Sequence, residues 1–216
     1  MANLIFIGMV GSMAKVASKK AADLLGRKFV DTEEVLVRNM GITLHDIYTV
    51  LPINTFNELS LRLASQLAGG SEYVISVGDS ILTNPDAISA ITETGFTVYI
   101  RQPIEDILAS GIDAEHPLLL RGRQRILPLF SERESILVSS SDLIIDYSET
   151  AAETAVSMFS EYAQDMSANK LAENTDALFG LIYDRTALLG RAEAVSDELI
   201  KRCISQIDNI ISKEYE

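Results

Sequence analysis

The strongest constraint in this sequence is a rhythm of short extended runs spaced by helix-length segments. Leu4–Ile7, Lys28–Val30, Tyr73–Val77, Thr97–Ile100 and Leu143–Ile145 read as strands, and most are continuously apolar, as strands covered on both faces are. Each is separated from the next by enough chain for a crossover helix, and Val16–Leu25 has helical spacing. The pattern predicts an α/β fold: a doubly wound three-layer α/β/α domain over residues 1–166 with a five-stranded parallel sheet. Ligands of such sheets bind beyond the carboxyl ends of the strands, so function is sought after Ile7, Val30 and Val77.

Residues 167–216 are expected to form a C-terminal helical extension, packed on the domain or in a homodimer interface. Val195, Leu199, Cys203, Ile207 and Ile211 make an i, i+4 stripe there, and Leu178, Phe179, Leu181, Ile182, Leu188 and Leu189 need burial. A net charge of −13 argues against general nucleic-acid or anionic-membrane binding and makes any phosphate site local. A single cysteine, no signal-peptide pattern and no apolar run long enough to span a bilayer set the expectation of a cytoplasmic protein.

The segment from Gly8 to Ser18 joins the first strand to the first helix, where backbone N–H groups and a helix N-terminus can cradle phosphate. A working phosphate loop reads G-x-x-x-x-G-K-[ST]; counted from Gly8, its last three places hold Met13, Ala14 and Lys15. Met13 adds bulk where backbone must approach phosphate, Ala14 has no charge to offer the β and γ phosphates, and Lys15 cannot ligate a cation as a hydroxyl does. Two readings of Lys15 stay open: it bends back into the phosphate nest, or it stands in solvent beside a plain turn.

Beyond the loop, Leu4–Ser12, the segment Leu25 to Glu34 containing Asp31-Thr32-Glu33, the segment Gly41 to Tyr48, Val74–Leu82, His116-Pro117-Leu118-Leu119, and Glu132-Arg133 with Asp142–Asp146 follow one another in the order of a known motif set. Together they resemble the shikimate kinase family, P-loop enzymes of nucleoside-monophosphate-kinase-like fold. The resemblance implies MgATP-dependent phosphorylation of the 3-hydroxyl of shikimate. It assigns nucleotide contacts to Gly8, Gly11, Ser12 and Lys15, catalysis to Asp31 and Lys15, and substrate contacts to Glu33, Arg133 and Gly78. Asp31 matches the family's Mg²⁺-side aspartate and Glu33 the one that holds substrate hydroxyls.

Other positions depart from the family pattern. Asn57 and Ser60 stand for its substrate arginine and the following glutamate, Gly78-Asp79-Ser80 for its triple glycine, Ala109 and Ser110 for its adenine clamp, and His116 for its lid arginine. Charge-assisted contacts are thereby lost, and Asp79 sets a negative charge where an anionic substrate would sit. Plainer roles compete throughout: Asp31 as a helix N-cap with Glu34 at capping-box spacing, Gly78 as a backbone necessity, and Arg133 in a surface salt bridge with Glu132 or Glu134. Arg121, Arg123 and Arg125 form a basic cluster read as a solvated face, and neither His45 nor His116 has the spacing of a metal ligand.

Three functions are expected. The first is a shikimate-kinase-like protein with little or no phosphoryl transfer, kept for binding or regulation, with a small anionic metabolite or nucleotide as ligand. The second is an active phosphotransferase that takes MgATP and works through Lys15, and the third is an interaction protein. No metal site beyond the implied MgATP is expected.

Overall fold

A computed structural model describes residues 2–169. The expected 167–216 extension, its apolar stripe and its dimer role fall almost wholly outside them. The chain divides into two compact units, Met1–Ala163 and Gln164–Glu216, and the sheet with its strand-end loops belongs to the first.

Strand β1 (Asn3–Ile7) is followed by helix α1 (Ala14–Leu25), β2 (Lys28–Asp31), α2 (Thr32–Met40), α3 (Leu44–Val50) and α4 (Ile53–Ala68). Then come β3 (Tyr73–Ser76), α5 (Asp79–Leu82), α6 (Pro85–Thr92), β4 (Gly95–Arg101), α7 (Ile104–Ser110), a 3-10 turn (Leu119–Arg121), α8 (Arg123–Ser139), β5 (Leu143–Asp146) and a helix α9 from residue 151. The five strands form one parallel sheet in the order β2-β3-β1-β4-β5. The five predicted runs are these strands: β1, β2 and β5 extend one residue further than expected, β4 three, and β3 stops one residue earlier.

Side chains of β1 alternate between two cores, as the period of a strand dictates. Ile5 and Ile7 join Ile75, Leu36, Ile47, Phe56 and Tyr99 on one face; Leu4 and Phe6 join Val74, Val98, Ile100 and Phe159 on the other. Both faces are covered, so the strand is apolar at consecutive positions rather than at every second one. Helix α1 meets the sheet through Ala14, Ala17, Ala21 and Ala22, small side chains that bring its axis close and fix the start of the helix beside the end of β1.

Asn3 ties the far end of the sheet together: its Nδ2 donates to Gly70 O and Thr94 Oγ1, and its Oδ1 accepts from Tyr73 N. Gly95 pairs with Asn3 across the ladder, and a β-carbon there would run into the Asn3 backbone. Gly95→Ala is expected to cost about 1–3 kcal/mol by overpacking. Gly69→Ala, at a right-handed helical φ of −72° where a β-carbon meets Gln66 O at an ordinary contact distance of 3.5 Å, should stay within about 1 kcal/mol of wild type; the two urea midpoints check the contrast.

Candidate functional site

The carboxyl ends of β1, β2, β3 and β4 lead into residues 8–13, Asp31, Gly78 and Gln102, and these meet at one edge of the sheet. The loop after β1 is turned in on itself. Ser12 N donates to Met9 O (2.9 Å), Met13 N to the Gln102 side chain (3.0 Å), and Ala14 N to Ser12 Oγ (3.4 Å), so three successive amides at the start of α1 already have acceptors. A β-carbon at Gly8 would lie 2.6 Å from both Ala14 Cβ and Ser12 Oγ, and the cavity between this loop, Asp31, Gly78 and His116 holds only about 40 Å³. Gly11, at φ +78°, lets the loop pass beneath Leu119, Ile107 and Ile112.

Lys15 follows neither of the two paths read from the sequence. Its Nζ lies 3.0 Å from Asp31 Oδ2 and 2.9 Å from Glu34 Oε1, with the side chain 42% exposed. Burial works against the ammonium, but its hydrogen bonds to Glu34 and Asp31 outweigh burial and hold it protonated above the ordinary lysine range. Asp31 caps α2, Oδ1 accepting from Glu34 N at 2.9 Å, while its other oxygen faces Lys15; burial raises this carboxyl despite the neighbouring ammonium. The Glu34 carboxylate goes to Lys15 rather than back to the cap, so only half of the capping box forms.

Glu33 points the other way. Its Oε1 accepts from Tyr48 Oη (2.7 Å) and lies 3.3 Å from His116 Nε2. His116 Nδ1 accepts from Leu118 N (3.2 Å), which leaves Nε2 as the protonated nitrogen of a neutral ring, donating to Glu33. The His116 side chain is only 4% exposed, and with the buried Pro117 and Leu118 it anchors residues 111–122, the segment at the lid position of the resemblance, beside Glu33. Gly78 is needed because a β-carbon would strike the Glu33 side chain; its φ is −84°, so close approach rather than backbone freedom selects glycine, and its N–H donates to Thr32 Oγ1.

Burial opposes the Glu33 charge, yet the hydrogen bonds from His116 and Tyr48 lower its carboxyl below the ordinary 4.5. A depressed carboxyl stabilises the fold above its unfolded value and loses that contribution as pH falls through its folded value. Glu33→Gln should therefore cost about 1–2 kcal/mol at pH 7, and the gap to wild type should close as urea unfolding is repeated below pH 4.5.

Arg133 pairs inward as well as with its neighbour Glu132, so the salt-bridge reading holds for that partner but not for its surface setting. Its side chain is 9% exposed, and Nε lies 3.2 Å from Oδ1 of Asp79, which is itself 4% exposed. Glu132 stands farther off, at 3.6 Å, and Glu134 instead accepts from Tyr99 Oη at 2.6 Å. Asp79, read from the sequence as a charge facing substrate, is thus the internal partner of the arginine; burial raises its carboxyl against the pull of Arg133. Asn57 Oδ1 and Ser80 Oγ, at positions that the resemblance assigns to the substrate side, are buried with no partner among the described residues.

Ser110 is spent on its own helix end, donating to Ile107 O and accepting from Ile112 N. Arg121, Arg123 and Arg125 are exposed, Arg123 pairing with Glu105. Tyr48 and Gln102 were not singled out in the sequence. Gln102 directly follows β4, so the rule that led to the other strand-end loops would have found it.

Outside the lid and α2 lies an open cleft of about 850 Å³, reached by Lys15, Asp31, Glu33, Glu34, Arg38, Asp113, Glu115 and His116. Carboxylates outnumber cations along it. These residues fit MgATP poorly: the amides of Ser12, Met13 and Ala14 are taken, and the Asp31 carboxylate is paired with an ammonium. Among the described residues no three His, Cys, Asp or Glu side chains converge as a cation site, and no helix is long and apolar enough to cross a membrane.

The family model described as "Shikimate kinase" matches residues 15–164, so Gly8 to Ala14 lie outside the matched stretch. Among similar curated proteins, the shikimate kinase of Persephonella marina is 28% identical over 138 residues, 63% of this chain and 84% of that one. That of Pelotomaculum thermopropionicum is 29% identical over 139 residues, 63% and 81% respectively. In fold, the chain is similar to the shikimate kinase from Acinetobacter baumannii in complex with shikimate, with a TM-score of 0.65, 21% identity and coverage of 79% of this chain and 95% of that one. The shikimate kinase from Bacteroides thetaiotaomicron gives 0.64, 18%, 76% and 98%.

Proposed function

The chain belongs to the shikimate kinase family, and from that premise we propose that it has kept the family's scaffold while losing all or nearly all ATP-dependent phosphorylation of shikimate, and that it acts by binding or regulation in the cytoplasm. The closed phosphate loop carries this reading. A phosphoryl donor needs free backbone amides, a lysine on its β and γ phosphates and a hydroxyl on its metal. Here the amides of Ser12, Met13 and Ala14 are satisfied internally, and Ala14 and Lys15 stand at the lysine and hydroxyl places.

The substrate side supports the same conclusion. Arg133, which would pair with a substrate carboxylate, is held by Asp79, and Glu33 is engaged by Tyr48 and His116. The open cleft beside α2 remains the place for a small metabolite. The competing reading is an active phosphotransferase on shikimate, with Asp31 and Lys15 in catalysis and Gly8, Gly11 and Ser12 on nucleotide. It draws on family membership and on that same cleft opening beside Lys15.

Thermal unfolding with MgADP, MgATP and shikimate separates the two. A ligand at 100 times its dissociation constant stabilises by about 2.7 kcal/mol. The proposal expects no nucleotide-dependent shift; a saturable shift with MgADP or MgATP favours the active enzyme.

A further inference from the structure

The positive charge that a phosphate-transferring site takes from a divalent cation is carried here by a side chain. Lys15 stands at the place of the motif's metal-binding hydroxyl, and its Nζ lies 3.0 Å from Asp31 Oδ2 and 2.9 Å from Glu34 Oε1. We propose that the Lys15 ammonium is a tethered replacement for the divalent cation, so that the Asp31 end of the cleft excludes Mg²⁺ and carries its counter-charge permanently. This stands on the geometry of Lys15 and not on the reading of lost phosphoryl transfer.

Two physical reasons support it. The ammonium takes oxygen lone pairs of Asp31 and Glu34 that a cation would coordinate, and an arriving dication would meet like charge at close range. With two of its three N–H donors given to Asp31 and Glu34, the ammonium has one left, too few to hold two phosphate oxygens, so it neutralises without organising an in-line transfer. Asp31 is nearly buried and already spends Oδ1 on the Glu34 amide, so the oxygen facing Lys15 is the one left for a cation.

The test is Mn²⁺ binding, followed by electron paramagnetic resonance on the full chain without nucleotide, for wild type, Lys15→Met and the double variant Lys15→Met with Asp31→Asn. Removing one charge next to the site should tighten Mn²⁺ binding at one site at least about tenfold, and Asp31→Asn should abolish the gain. Equal Mn²⁺ binding by wild type and Lys15→Met, absence of binding in both, or a gain that survives Asp31→Asn would each overturn the proposal. Because Lys15 is 42% exposed, Lys15→Met should fold; Lys15→Ser, read the same way, replaces it if melting shows otherwise. Without nucleotide present, the outcome is independent of whether the wild type turns over ATP.

Discussion

Replacing Arg133 with methionine is expected to lower the unfolding free energy by about 3–5 kcal/mol at pH 7, because it strands the Asp79 carboxylate in the interior. The partners are 9% and 4% exposed, so water cannot take over the lost contact. Asp79 can answer only by binding a proton, and burial already pushes its carboxyl upward even with the arginine beside it. A carboxyl raised in the folded state contributes stability below its unfolded value of 3.8 and loses it as pH rises through the folded value. The deficit of Arg133→Met should therefore shrink as pH is lowered from 7 towards 4. Urea unfolding at several pH values reads this out. Pairing it with Asp79→Leu should recover part of the loss, since a buried ion pair replaced by apolar groups is often neutral. A deficit under about 1 kcal/mol at pH 7 would mean that the pair is solvated.

The second large effect is a gain. The triple variant Met13→Gly, Ala14→Lys, Lys15→Ser restores the spacing G-x-x-x-x-G-K-[ST] from Gly8. It removes bulk at the nest, supplies the phosphate lysine and frees Asp31 from its ammonium. Nucleotide-dependent stabilisation of about 2.7 kcal/mol at 100 times the dissociation constant is expected, against none for wild type. Lys15→Ser alone should stay at the wild-type response, since Ala14 and Met13 still fail. A single variant that responds as strongly as the triple would show that Lys15 alone closes the site.

The sheet was legible because its strands are covered on both faces and write themselves as apolar runs, with helix-length gaps that dictate parallel crossovers. The positions of Asp31, Glu33 and Gly78 at strand ends were legible for the same reason. What the chain does with them was not. Lys15 reaches Asp31 and Glu34 across 16 and 19 residues, and Arg133 reaches Asp79 across 54; no periodicity encodes which carboxylate a long side chain selects. The capping reading of Asp31 was local, set by a three-residue spacing, and is visible in the backbone. For Arg133 the sequence left a substrate contact and a surface pair with Glu132 or Glu134 both open, and only the packing of α5 beneath α8 shows that it faces inward.

Whether the scaffold still transfers phosphate is decided by shikimate-dependent ADP release from the wild-type chain, measured with MgATP and saturating shikimate beside an active family member. The closed loop and the paired arginine predict release at the enzyme-free background. Release that scales with this chain's concentration and requires shikimate would mean that the loop opens and that phosphoryl transfer has been kept.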